Sequence, residues 1–311
     1  MTRRNTTAQP LLIPNFLCYT VFNDNVKESA MLSRIYLEIT NICNRSCAFC
    51  PGTKRPARML TPEEFALLAG RLRPHTDYLY LHVMGEPLLH PQLGELLDIA
   101  SRLGFRVIVT TNGTLLKKQQ DTLLNAACLH KVHISLHSFE ANEAENFEEY
   151  LRDCAAFGAA ARMRGVLVNY RLWNLDGAES AGLNSRNEEI LAALRGAFPA
   201  PWKENSWGWR LEPGVFVQYG ERFEWPDASA RDHGERGRCL GLRQQAAVLC
   251  DGTVVPCCLD HEGDIALGNL FAQEWDEILS SEKARAIRDG FAAGKRVHPL
   301  CRRCGFSQRF G

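Results

Sequence analysis

The sequence predicts an α/β protein built on a parallel sheet, with a smaller cysteine-rich unit at its C-terminal end. Three observations predict it. From about residue 34 onward, short β-rich runs alternate with amphipathic helical stretches, the pattern of strands joined by crossover helices. The 311 residues suffice for one large core and a small appended one. Most of the twelve cysteines fall into two sets, one just past the first strand and one in the last quarter of the chain.

Arg34 to Thr40 (RIYLEIT) reads as the first strand. Thr61-Pro62-Glu63-Glu64 then opens a helix: Thr61 caps it, Pro62 takes the first helical position, and Glu64 completes a capping box. Strands follow at Tyr78 to Met84, Arg106 to Thr111, Lys131 to Leu136 and Val166 to Leu172. Between them lie helical patterns near Pro91 to Leu103, Leu115 to Ala127 and Ala144 to Arg164, with another near Asn187 to Phe198. A sixth strand is expected at Val215 to Tyr219, inside a Trp/Gly/Pro-rich connector that runs from Pro199 to Arg238.

Charge and composition exclude several function classes. Lys+Arg and Asp+Glu are both 36, so no net field exists to gather nucleic acid or an anionic membrane, and Arg3-Arg4 reads as a solvated terminus. The apolar patch from Leu11 to Leu17 is short, contains Pro14 and lacks a small-residue cleavage site, so it is not a signal peptide. No run reaches the length of a membrane span. Twelve cysteines without a secretory signal point to metal ligation in a reducing cytoplasm rather than to disulfides. The expectation is a cytoplasmic protein with no nucleic-acid or membrane partner.

Cys43, Cys47 and Cys50 stand in a CxxxCxxC spacing directly after the first strand. Three thiolates can hold three irons of a [4Fe-4S] cube and leave the fourth open, where a ligand with an amine and a carboxylate can chelate it. A zinc knuckle is the alternative, but closed zinc sites take four ligands. The run resembles the radical S-adenosylmethionine superfamily, down to the aromatic Phe49 before the third cysteine. That resemblance implies a partial (β/α)6 TIM-like barrel over residues 34–222, preceded by an N-terminal extension, 1–33, with chemistry on loops at the C-terminal ends of its strands.

On this resemblance the strand ends acquire roles. Gly85-Glu86, in Val83-Met84-Gly85-Glu86-Pro87, is similar to the motif that holds the methionine amino group of the cofactor; alone it reads as a strand-to-helix turn. Asn112, in a Thr-Asn-Gly segment, either makes a turn or lines the active site, and both can hold. Ser135 stands where relatives place a polar group near the cofactor ribose, and Asn169 at a polar cofactor-lining position. His137 replaces an aspartate common in relatives and is a candidate acid, base or donor. Arg171 faces either substrate or a salt bridge.

The second set runs from Cys239 through Val248-Leu249-Cys250-Asp251-Gly252 and Cys257-Cys258 to a closing Cys301-Arg302-Arg303-Cys304. It resembles the SPASM or twitch extension of the same superfamily, which implies an auxiliary domain over residues 223–311. The two-cluster SPASM pattern needs further cysteines beyond Cys304, and the sequence stops at Gly311. The expectation is one auxiliary [4Fe-4S] cluster on Cys239, Cys257, Cys301 and Cys304, fully ligated and so restricted to carrying electrons or bracing the fold. Cys250 and Cys258 are the competing ligands, and zinc on the same four cysteines is the competing metal. Cys18, Cys128 and Cys154 read as isolated or core thiols.

The resemblance implies an enzyme that cleaves S-adenosylmethionine reductively and uses a 5′-deoxyadenosyl radical to abstract hydrogen from a C–H bond. The closed auxiliary cluster suits an oxidative outcome on a peptide, a protein or a small molecule such as a sugar. Only about 33 residues precede the barrel, too few for a fused leader-recognition domain, so a peptide substrate calls for a separate recognition partner. A flavodoxin- or ferredoxin-type reductant is implied. The rival reading is a non-catalytic iron-sulfur or zinc protein that binds a partner.

Overall fold

Strict alternation along the strands assigns their side chains to two environments. In β1 (Arg34–Leu37) Ile35 and Leu37 are fully buried in the main core, together with Phe65, Leu68 and Leu72 of α1 (Pro62–Leu72), while Arg34 and Tyr36 point the other way. The same division recurs in β2 (Tyr78–Tyr80), β3 (Arg106–Thr111), β4 (Leu129–Ser135) and β5 (Leu167–Leu172), where Leu79, Val107, Val109, Val132, Ile134, Val168 and Tyr170 join the helix-covered core. Tyr80, His82, Thr110, His133, Asn169 and Arg171 occupy the alternate positions. A polar lumen faces an apolar outer layer.

The computed structural model describes residues 31–138, 146–174 and 186–310. The apolar patch from Leu11 to Leu17, Cys18 and most of the N-terminal extension lie outside the described residues. Strands β6 (Lys203–Asn205), β7 (Gly208–Glu212) and β8 (Val215–Tyr219) follow the barrel helices, and β9 (Gln245–Val248), β10 (Thr253–Val255) and β11 (Gly268–Asn269) belong to the C-terminal region. All eleven form one sheet in the order β11-β10-β9-β1-β2-β3-β4-β5-β8-β7-β6. From β9 through β8 every pairing is parallel. The outer ends do not pair with each other, so the barrel is partial.

Helices α2 (Leu93–Arg102), α3 (Leu116–Leu124), α4 (Phe147–Met163) and α5 (Asn187–Ala197) supply the crossovers. The Thr61 capping box is formed: its side chain accepts from the Glu64 amide at 3.2 Å, and the Glu64 carboxylate accepts from the Thr61 amide at 3.0 Å. Strands β3 and β8 have the expected bounds. Strands β1 and β2 are shorter than expected, because beyond Leu37 and Tyr80 the backbone serves loops: Thr40 bridges Met59, and the Met84 amide donates to the Glu38 carboxylate at 3.0 Å. The connector also holds a hairpin, β6–β7, that periodicity does not reveal.

The C-terminal region does not stand apart from the barrel. β9 pairs in parallel with β1, Ile35 opposite Ala246, and turns through Asp251-Gly252 into β10. Gly252 has φ +84°, a left-handed turn conformation that glycine adopts freely. Beyond β11 lie α6 (Trp275–Leu279), α7 (Glu282–Ala292) and the short α8 (Pro299–Arg302). Among the described residues no helix is long and apolar enough to cross a membrane.

Candidate active site

The loop after β1 carries Cys43, Cys47 and Cys50 to the rim of the barrel. Cys43 and Cys50 are exposed and Cys47 is half-buried. All three line one pocket of about 580 Å³, together with Phe49, Gly85, Glu86, Asn112, Ser135 and His137. Partial burial holds the Cys43 and Cys50 thiols above their ordinary range, so a bound cation must favour the thiolates that ligate it.

Gly85 explains how the second strand's loop meets the first. At φ +76°, a Cβ there would lie 2.9 Å from the Ile42 carbonyl oxygen and closer still to that of Thr40, so only glycine fits against the root of the cysteine loop. The next amide, of Glu86, donates to the Ile42 carbonyl at 2.9 Å. The Glu86 carboxylate is 1% exposed and accepts from the Leu88 amide at 3.0 Å and the Asn112 amide at 2.7 Å. Burial pushes its pKa up to about 7, against the pull of those two amides. The Thr111 hydroxyl bonds the carboxylate as well, which leaves one acceptor position for a cationic ligand. The Asn112 side chain donates to Asn44 at 2.9 Å and reaches the Cys43 sulfur at 3.9 Å, so the third strand's loop also holds the cysteine loop.

His137 packs against Phe49, ring centroids 4.8 Å apart. Its Nδ1 lies 3.0 Å from the Arg171 carbonyl oxygen, which calls for a proton on Nδ1, and 3.4 Å from the Trp173 amide, which calls for none. Burial draws its pKa down to about 4, so the ring is neutral at pH 7 and can take a proton but not supply one. Asn169 and Arg171 do not line this pocket. Asn169 lies deeper in the lumen, donating to Gln218 at 2.7 Å with its Nδ2 3.2 Å from His133, and the Arg171 guanidinium stacks on Trp173 with its carbon 4.6 Å from the ring centroid.

A separate cavity is lined by Cys239, Cys257, Cys301 and Cys304, with Pro226, Asp260 and Phe291. Burial, together with the neighbouring thiols of Cys239, Cys258, Cys304 and Cys301, drives the Cys257 thiol far above its ordinary range. Cys250 and Cys258 do not line this cavity. Cys250 is buried against the first domain, its amide donating to Glu38 at 3.0 Å. Cys258 packs with Tyr36 and Tyr80 on the lumen side of the sheet. Among the described residues no three Cys, His, Asp or Glu side chains are arranged to hold a single ion. A cube spreads its ligands more widely than one ion does, and four sulfur donors around one cavity suit it.

One group was overlooked in the sequence. Glu38 is fully buried at the end of β1, and each of its oxygens accepts twice: from Arg55 at 2.7 and 2.8 Å, from the Met84 amide and from the Cys250 amide. Arg55 continues to the His261 carbonyl at 2.7 Å, and the Trp225 indole donates to the Phe49 carbonyl at 3.0 Å. The cysteine loop is thus clamped between the barrel and the C-terminal region. A lone acid amid the apolar residues of RIYLEIT was the available signal.

Residues 37–197, just over half of the chain, match the family model of the Radical SAM superfamily, and residues 239–305 match SPASM, an iron-sulfur cluster-binding domain. The antilisterial bacteriocin subtilosin biosynthesis protein AlbA of Bacillus subtilis is 23% identical, over 93% of this chain and 68% of that protein. The S-adenosyl-L-methionine-dependent 2-deoxy-scyllo-inosamine dehydrogenase of Niallia circulans is 22% identical, over 88% of this chain and 93% of that protein. Among solved structures, BtrN in complex with AdoMet and 2-DOIA superposes with a TM-score of 0.58 at 20% identity, covering 89% of this chain and 94% of that one, a likeness of fold. The chain spans only about a third of the length of two further curated relatives that it matches.

Proposed function

We propose that this chain, which belongs to the radical SAM superfamily and carries a SPASM domain, oxidises a C–H bond of a small molecule. Its cofactors are S-adenosylmethionine and [4Fe-4S] clusters, an auxiliary one included. The observation that carries the reading is the pairing of two sulfur-lined cavities: one opens beside Glu86, Asn112 and His137, and the other is ringed by four thiols. When bound, the open cluster and S-adenosylmethionine supply a 5′-deoxyadenosyl radical, and the closed cluster supplies an electron acceptor.

The chain's own residues position and protect. Cys43, Cys47 and Cys50 would hold the open cluster, and Cys239, Cys257, Cys301 and Cys304 the closed one. Glu86 would accept from the methionine ammonium, adding a charge-assisted bond to the two amide bonds it already accepts. Phe49 and His137 wall the pocket against water, while Trp225 fixes the Phe49 backbone. The free ring nitrogen of the neutral His137 would take the proton that leaves an oxidised substrate. Similarity to a dehydrogenase along nearly the whole of both chains supports a small-molecule substrate. The AlbA likeness supports a peptide instead, and that relative extends well beyond this chain.

The test is anaerobic turnover with candidate substrates deuterated at the target carbon, read as deuterium in 5′-deoxyadenosine, beside electron paramagnetic resonance with and without S-adenosylmethionine. An open cluster changes its signal when the cofactor chelates it. An unchanged signal refutes the assignment.

A further inference from the structure

On the lumen face of the sheet lies positive charge that no carboxylate among the described residues neutralises. Arg171 brings it from β5 and Arg34 from β1. Among the described residues neither arginine has a carboxylate in ion-pair contact: Arg171 lies near Tyr36, Tyr80 and Cys258, and Arg34, near the same three, donates to Gln245 Oε1 at 3.1 Å. Glu38 is the acid on that face of β1, and its two oxygens are filled by the four bonds described above. Burial lowers the Arg171 guanidinium only to about 10, so it stays cationic at neutral pH.

The same region contains polar atoms with nothing to bond. Arg171 Nε, Asn169 Oδ1, His82 Nδ1 and Thr110 Oγ1 are all buried without a hydrogen-bond partner. Asn169 is only 6% exposed, and its Nδ2 is already committed to His133 and Gln218. Buried polar atoms are otherwise almost always satisfied, so four orphans on the lumen face of neighbouring strands point to a ligand that completes them. His82 and Thr110 line the cysteine pocket, and Arg171, which is near His82, pairs in register with Ser135 of the same lining. His82 and His133 are held neutral by burial and by Arg171, so they offer hydrogen bonds rather than further charge.

We propose that Arg171 is an anion anchor for the substrate, so that the substrate carries an oxyanion, either carboxylate or phosphate. The proposal rests on the radical chemistry assigned above for what then happens to that substrate. Trp173 holds the guanidinium plane by stacking, which leaves its edge to face the anion. Asn169 and His82 then meet polar groups beside the anion, and a neutral substrate would leave the half-buried Arg171 without an anionic partner among the described residues.

Calorimetric titration of the cluster-loaded full chain, saturated with S-adenosylmethionine, tests this with acetate and inorganic phosphate as probes. One of the two should bind with a stoichiometry of one. Preference for acetate assigns a carboxylate, and preference for phosphate a phosphoryl group. Arg171→Met should weaken that binding by about tenfold to a hundredfold, the range for a lost hydrogen bond to a charged group, and Arg171→Lys should restore part of it. Failure of both anions to bind the wild-type protein, or equal binding by Arg171→Met, overturns the proposal. The spectroscopic response of the wild-type sample to S-adenosylmethionine reports separately on the underlying chemistry, so the two failures are distinguishable.

Discussion

Replacing Glu86 by glutamine removes a charge, keeps the shape and should tilt stability in a pH-dependent way. In the native protein this carboxyl titrates near 7 instead of its ordinary 4.5, because burial disfavours the anion. The native state therefore keeps a proton that the unfolded chain has already released, and stability falls as pH rises between those two values. From pH 5.5 to pH 8 the loss is about 2 kcal/mol, at about 1.4 kcal/mol per pH unit up to the native pKa. Glutamine does not titrate and lacks this slope. It also presents one acceptor oxygen to two amide donors, those of Leu88 and Asn112, and a buried amide left unpaired costs about 1–3 kcal/mol. Urea unfolding of the cluster-loaded protein, without S-adenosylmethionine, should therefore find Glu86→Gln clearly less stable than wild type at pH 5.5 and nearly equal at pH 8. The same variant should bind S-adenosylmethionine more weakly by about 1.5–3 kcal/mol if the carboxylate meets the ammonium. Parallel pH curves for the two proteins would refute the titration, and unchanged cofactor affinity would leave Glu86 as a brace between the second and third strand loops.

Three further outcomes follow from the geometry. Alanine at Cys43, Cys47 or Cys50 should abolish reductive cleavage of S-adenosylmethionine while iron bound at the C-terminal site persists, as iron analysis and product chromatography will show. Alanine at Cys301 or Cys304 should lower iron content by roughly four per chain, the content of one cube, and leave the first cluster's spectroscopic response to cofactor intact; stoichiometric zinc at that site would contradict it. Glu38→Gln strands Arg55 without its buried partner and should destabilise the fold by about 3–5 kcal/mol, measured by denaturant unfolding, although no sulfur ligand is touched.

The parts of this molecule written locally were the ones legible in its sequence. The CxxxCxxC spacing, the Thr61 cap and the alternation in β3 each sit within a few residues, so periodicity and capping chemistry reveal them. The ends of β1 and β2 were misjudged because Glu38, Met84 and Thr40 spend their hydrogen bonds on loops whose partners lie far along the chain. Hairpin β6–β7 escaped because Lys203, Glu204 and Arg210 give it no apolar stripe. The choice among six C-terminal cysteines rests on resemblance, because what bears on it physically is tertiary: Cys250 meets the Glu38 cluster and Cys258 the lumen beside Tyr36, while the other four line one cavity. The depth of Asn169 and Arg171 was equally invisible, since alternation tells which face a residue occupies but not how far down the barrel it sits.

The parallel pairing of β1 with β9 means that the auxiliary region cannot be amputated. Cutting the chain before Cys239 would strip β1 of the partner on one side and bare a row of unpaired amides and carbonyls beside the buried Ile35 and Leu37. Such a raw edge recruits other chains. The same cut would cost Arg58 and Arg55 their bonds to the Cys250 and His261 carbonyls, which they make from within the cysteine loop. A shortened protein would therefore precipitate rather than persist as a simpler catalyst, and grafting a foreign auxiliary module would succeed only if its leading strand kept the register of Ile35 on Ala246. The two iron-bearing ends of the chain are one mechanical object, so damage to either should be felt at the other before any electron moves.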